Sequence, residues 1–347
     1  MNKHQFNLGR TFPLESGEVL PDLTIVYHTA GAVNSSADNV VWVCHALTAN
    51  SDVEDWWEVM VGEGKFYDTR RYFVVCANVV GSCYGTTGPL SVNPITGKPY
   101  YLSFPQITVR DLANAHEVLR EHLGILRIHT LVGGSIGGFQ ALEWAISNPD
   151  VCKNLVFIAS NARVTPWATA FNESQRLAIR ADKTFFDETP EGGRDGLKAA
   201  RTMALVSYRS YEGYNQTQPE QDDNALEASR ASSYQQYQGE KLVNRFDAYS
   251  YYTLTRIIDT HNVGRGRGGV PAALARIKAN TLLVGIDSDF LFPIQEQREM
   301  QQHIPNAHFV GISSAFWHDG FLLEYKQLAA VIDTFYEKAN VTTCVND

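Results

Sequence analysis

The chain has 347 residues, 44% of them hydrophobic, and carries 29 Lys and Arg against 38 Asp and Glu, a formal net charge of −9. That length suggests about two domains, although α/β folds of this size also occur as one core with insertions. The acidic balance, with no block of five or more Lys and Arg, argues against a nucleic-acid partner. No apolar run nears the roughly 18 residues of a membrane span, and residues 1–10 are too polar for a signal peptide, so a soluble cytoplasmic protein is expected.

Short β-branched apolar runs predict strands at 23–28, 40–44, 72–77, 128–132 and 154–159. Several are apolar at nearly every position, as in parallel strands covered on both faces. Between them, TVRDLANAHEVLREHL (108–123) puts Val109, Leu112, Ala113, Ala115, Val118, Leu119 and Leu123 on one face, which predicts a crossover helix. Residues 163–265 turn rich in Arg, Gln, Tyr, Asp and Ser and offer no convincing buried strand. Strand and helix alternation returns at 280–286 and 308–312, and a closing helix is expected at 322–339. The fold class is therefore α/β: a mostly parallel central sheet with helices on both faces, built from 1–162 and 266–347. A helical cap at 163–265 interrupts this core, and the cleft between the two is the default site.

The segment IHTLVGGSIGGFQALEWAISN (128–148) runs from an apolar strand through a glycine turn into a helix. It carries G-x-S-x-G in the strand, turn and helix context where that pattern presents a nucleophile, Ser135. A serine hydroxyl needs a base oriented by a carboxylate, and in such sites the order along the chain is Ser, Asp, His. Late in the chain, NTLLVGIDSDFLFP offers Asp287 and Asp289, and HFVGISSAFWHDGFL offers His318. Asp289 is preferred because Pro293 follows it in a D-x-x-x-P arrangement, which leaves Asp287 to organise the turn. An oxyanion would lie on two backbone N–H groups, those of Ile136 and, in the strand exit His45-Ala46-Leu47-Thr48, of Leu47. Cys44, Cys76, Cys83, Cys152 and Cys344 show no C-x-x-C spacing, and neither a metal site nor a disulfide framework is expected. Three of them sit in apolar runs as packing residues, and Cys83 is the least certain.

Blocks in order along nearly the whole chain carry a resemblance: HALTAN at 45, FYDTRRYFVVCANVVGSCYGTTGP at 66, GGSIGGFQALEWA at 133, YQGEKLVNRFDAYSYYTLT at 237, GIDSDFLFP at 285 and HDGFL at 318. The sequence resembles the homoserine O-acetyltransferase family of the α/β-hydrolase superfamily, which activates homoserine for methionine synthesis. The resemblance implies the triad Ser135, Asp289 and His318. It also implies homoserine contacts from Arg201 and Tyr208, in RTMALVSYRS, and from Asp319. One cation and one anion suit a zwitterion. It implies acetyl-CoA as co-substrate, L-homoserine as acceptor, no tightly bound cofactor, an acyl-serine in a ping-pong cycle, and a homodimer built on the cap. Three positions depart from the family pattern: Ile136 and Phe139, where Met is usual, and Trp317, where Gly is usual. These are expected to line or flank the acyl pocket, and they leave open succinyl as donor and serine as acceptor. A serine hydrolase needs the triad but not Arg201 with Asp319, and a silent binding module would commonly lose a triad member.

Overall fold

The computed structural model describes residues 1–224, 226–227 and 229–343; Cys344 lies outside them. The strands are β1 (Asn2–Asn7), β2 (Phe12–Pro13), β3 (Val19–Leu20), β4 (Thr24–Ala30), β5 (Val40–Cys44), β6 (Phe73–Ala77), β7 (Ile128–Gly134), β8 (Cys152–Ile158), β9 (Asn280–Ile286) and β10 (Ala307–Ile312). β2 and β3 pair separately, and the rest form one sheet in the order β1-β4-β6-β5-β7-β8-β9-β10. From β6 to β10 every neighbour is parallel, whereas β4 runs antiparallel to β6 and β1 antiparallel to β4. The central strands alternate between two buried layers. In β5, Val40, Trp42 and Cys44 join one cluster and Val41 and Val43 the other, so both faces are covered.

The helices are α1 (Val53–Trp56), α2 (Val109–His122), α3 (Ile136–Ser147), α4 (Pro166–Ala181), α5 (Arg194–Tyr208), α6 (Tyr211–Thr217), α7 (Ser229–Val243), α8 (Ala248–Asp259), α9 (Val270–Leu274), α10 (Ile294–Gln301), α11 (Gly320–Leu323) and α12 (Tyr325–Thr343). α2 opens with a capping box in which Thr108 and Asp111 satisfy each other's backbone N–H groups. Its buried face holds Val109, Leu112, Ala113, Ala115 and Leu119, as the periodicity predicts. α3 is buried at every position from Ile136 to Ile146, so it is a central helix and not an amphipathic surface one. Between β8 and β9 lie α4 to α9, and an isolated bridge there joins Arg163 to Asn262.

Two features depart from the sequence expectation. β1 is a polar edge strand, NKHQFN, exposed at most positions and held by its pairing to β4, so it has no apolar pattern to reveal it. The closing helix is two helices, because Glu324, at φ −86° and ψ 39°, breaks the path between α11 and α12. The break lets Phe321 turn toward Gly134 and His318 while Leu328, Ile332 and Phe335 pack in the second buried layer.

Candidate active site

β7 delivers Ser135 to a sharp turn at φ 57° and ψ −129°, outside the usual regions for a side-chain-bearing residue. Such a conformation costs on the order of 1–3 kcal/mol and must be held by its surroundings. The holding contacts are dense: Ser135 N–H donates to Ile158 O at 3.0 Å, and Ser135 O accepts from Gly138 N–H at 2.9 Å and from Ser160 Oγ at 2.8 Å. Glycine is required on both sides. A Cβ on Gly133 would lie 2.2 Å from Gly137 O, and one on Gly137 would lie 2.1 Å from Cys44 O. The spacing of G-x-S-x-G is thus set by how closely α3 approaches β5 and β7.

The loop after β9 supplies Asp289 and the segment after β10 supplies His318, both at most 4% exposed. His318 Nε2 lies 2.9 Å from Ser135 Oγ, and His318 Nδ1 lies 2.7 Å from Asp289 Oδ2. The other carboxylate oxygen of Asp289 accepts the N–H groups of Leu291 and Phe292 at 2.9 and 3.0 Å. Asp289 is therefore fixed on both oxygens. Asp287 instead ties the ends of the two loops: its N–H donates to Ile312 O and its Oδ1 accepts Ser314 N–H at 3.4 Å. Ser135 can therefore give its proton to His318, whose ring Asp289 orients and whose positive charge it stabilises.

The strand exit after β5 is organised by a histidine that the sequence reading passes over. His45 Nε2 accepts Val79 N–H at 3.1 Å, so its proton sits on Nδ1, which donates to Ala46 O at 2.9 Å. Burial pushes His45 down to about 4, which keeps it neutral. Ala46 O also accepts Ala49 N–H at 3.1 Å. With that carbonyl pinned, the N–H on the far edge of the same trans peptide, that of Leu47, faces the opposite side. Neither it nor Ile136 N–H, at the start of α3, has a hydrogen-bond partner among the described residues.

Ser135 and His318 open into a cavity of about 420 Å³ whose walls include Leu47, Arg201, Tyr208 and Asp319. Residues from three distant stretches of the chain thus share one space with the nucleophile. Arg201, on α5, has its Nε buried without a partner among the described residues, and its guanidinium lies 5.9 Å from the Tyr208 ring. Burial raises the Tyr208 phenol above its usual range; its ring sits 5.8 Å from that of His318. Asp319 is not a bare anion: Arg209 Nε donates to its Oδ2 at 3.1 Å, and Arg209 also reaches the Tyr234 hydroxyl. Arg209 was missed in the sequence, although it directly follows Tyr208. Its only signal is that adjacency. Lys241 and Arg245 line the same cavity and were also missed.

The three departures from the family pattern are not among the residues lining this cavity. Phe139 stacks on His261 at 3.8 Å and meets Phe292 edge-on, so it reaches the site only through Phe292, whose ring is 5.1 Å from His318. Ile136 is buried behind Ser135. Trp317, at φ 48°, packs against Phe290, which also meets Trp167 and Phe171 of α4. Of the expectation that these residues line or flank the acyl pocket, the lining part is corrected: Ile136 and Trp317 flank the site beside Ser135 and His318, while the long aromatic side chains at 139 and 317 are drawn into neighbouring aromatic clusters. Cys44, Cys76 and Cys152 are buried free thiols, and burial pushes Cys83 up to about 12, which makes it a poor nucleophile. Among the described residues, no group of His, Cys, Asp and Glu could hold a metal, and no helix is long and apolar enough to cross a membrane.

Comparison with known proteins places the chain in a family. The profile described as alpha/beta hydrolase fold matches residues 39–324. The chain is 46% identical over 340 residues to the homoserine O-acetyltransferase of Cyclobacterium marinum, covering 98% of this chain and 97% of that one. It is 43% identical over 335 residues to that of Chlorobaculum tepidum, covering 95% and 93%. Among solved structures, the homoserine O-acetyltransferase of Staphylococcus aureus aligns with a TM-score of 0.79 at 29% identity, covering 98% of this chain and 95% of that one. Esterase E22 aligns with a TM-score of 0.86 at 24% identity, covering 96% and 99%, a likeness of fold. The chain belongs to the homoserine O-acetyltransferase family of α/β hydrolases.

Proposed function

We propose that this protein transfers the acetyl group of acetyl-CoA to the hydroxyl of L-homoserine through an acyl-serine on Ser135. The observation that carries the reading is the uncommitted cation Arg201 in the same cavity as the Ser135, His318 and Asp289 relay. A buried guanidinium nitrogen without an acceptor is costly, and an amino-acid carboxylate supplies one. Asp319 keeps Oδ1 without a partner among the described residues, which suits an ammonium group. A plain esterase needs neither residue.

In the first half-reaction His318 takes the proton of Ser135 Oγ as it attacks the thioester carbonyl. The oxyanion is met by the N–H groups of Leu47 and Ile136, the carbon–sulfur bond breaks, and His318 returns its proton to the departing thiolate. In the second half-reaction Arg201, Tyr208 and Asp319 hold homoserine. His318 deprotonates its hydroxyl, which attacks the acyl-serine, and the proton passes back to Ser135. No tightly bound cofactor takes part. The reading extends to a cytoplasmic homodimer through the helices of 163–265, which expose Trp167, Met203, Val206 and Tyr211. Light scattering that gives a monomer mass would remove that extension.

The test is steady-state thiol release from acetyl-CoA and succinyl-CoA, each with and without homoserine or serine. Sustained release is expected only with acetyl-CoA plus homoserine. Release independent of acceptor makes the protein a hydrolase, and none with any pair makes it a silent member of the fold.

A further inference from the structure

The donor in this reading is polyanionic while the chain carries a net charge of −9, so binding requires cations placed locally. A cavity of about 420 Å³ suits a drug-sized ligand. It takes the acyl end and the acceptor, and leaves the phosphates of the donor at its rim. The junction of α7 and α8 supplies two cations there, Lys241 and Arg245, both lining the wall that leads to Ser135. Lys241 has no carboxylate partner among the described residues, because its neighbour Glu240 is committed to Lys198 at 3.0 Å and to Arg194 at 3.3 Å. Arg245 is anchored without being neutralised: Nη1 donates to Thr48 O at 2.5 Å and to the Tyr84 hydroxyl. Both partners are uncharged, and Nε and Nη2 keep their donors. Two acids line the same cavity: Asp55, which accepts Asn50 Nδ2–H at 2.9 Å, and Asp319, which pairs with Arg209 at 3.1 Å. Arg245 also lines a second cavity, of about 280 Å³, whose walls carry Arg194 together with the acids Glu191 and Asp247.

We infer that Lys241 and Arg245 form the phosphate-recognition rim of the site, binding the phosphate groups of the CoA thioester as its acyl end reaches Ser135. The assignment rests on the acyl-CoA reading above. It is tested by comparing acetyl-CoA with S-acetyl-N-acetylcysteamine, a thioester without phosphates, in homoserine-dependent thiol release. The readout is the ratio of the two kcat/KM values. Lys241→Gln and Arg245→Gln each lower that preference for acetyl-CoA by about three- to tenfold, and the double variant lowers it further. Arg245→Lys, which keeps the charge, retains most of it. The KM of the unaltered protein for acetyl-CoA rises with salt, and this dependence weakens in the double variant. A preference unchanged in the double variant overturns the assignment, as does an equal loss with both donors. If the unaltered protein uses neither thioester, it is the acyl-CoA reading that fails.

Discussion

On the sheet side of the cavity, each polar group of the relay already has its partner: Ser135 has His318, His318 has Asp289, and Asp289 has two backbone N–H groups. On the helical side, among the described residues, Arg201 Nε is buried without one and Lys241 has no carboxylate; between the two sides, Asp319, next to His318, holds Arg209 on one oxygen only. The first side is finished before any ligand arrives and spends backbone strain at Ser135 to be so. The second is completed by what binds. A site that must run the same proton transfers in two half-reactions gains from a rigid relay, while recognition of two different substrates is left to groups whose partners come with the ligand.

The sharpest break would come at the relay. Ser135→Ala should lower thiol release by about 10⁴ or more, measured under saturating acetyl-CoA and homoserine. A loss of tenfold or less would mean that Ser135 is not the nucleophile. The rigidity of that side is tested by Gly137→Ala, whose Cβ would collide with Cys44 O. Urea unfolding should show a loss of about 3 kcal/mol or more; unchanged stability would show that α3 and β5 have room to part.

Acid should act on the buried core beneath the cavity. Burial holds His45, His116 and His261 down at about 4, against 6.5 for a free imidazole. Between those values the unfolded chain binds protons that the folded chain refuses. Their contribution is therefore whole above about pH 6.5, falls as pH drops, and is gone below about 4. Each group weighs about 1.4 kcal/mol per unit of pH in that window. Thermal unfolding followed from pH 7 to 4.5 should show a steady fall, and a flat profile would contradict the neutral, buried state of these rings. On the helical side, Arg201→Gln should reduce kcat/KM for homoserine by about a hundredfold and the acyl-CoA half-reaction much less. Equal losses in both would merge the two sides. The smallest effect is expected for Trp317→Gly, which trades the contact with Phe290 against relief of a left-handed backbone, a net change of about 1 kcal/mol in either direction.

The same division governs what can be read from the sequence. Ser135 is legible because steric demand writes glycines at fixed offsets, and β9 at Asn280–Ile286 is legible because a doubly covered strand is apolar throughout. Asp289 and His318 are found by their order after late strands. β1 is not legible, since its place comes from backbone pairing and its side chains face water. Glu324 hides its break because both flanking helices share an apolar pattern. Arg201 looks like a solvated residue of a polar segment and Asp319 like a local loop acid; only the family resemblance singles them out. Arg209, Lys241 and Arg245 are invisible for a further reason: whether a cation is paired depends on which carboxylates fold near it, and spacing along the chain does not encode that.

The most direct test of the two-sided site is to follow the acetyl group itself. The protein is incubated with acetyl-CoA labelled in the acetyl carbon, the protein is isolated and digested, and homoserine is then added to a parallel sample. The label should appear on the peptide carrying Ser135 and move to the hydroxyl of homoserine on addition. Product formed with no label ever on Ser135, or label lost as free acetate whether or not homoserine is present, would contradict the account.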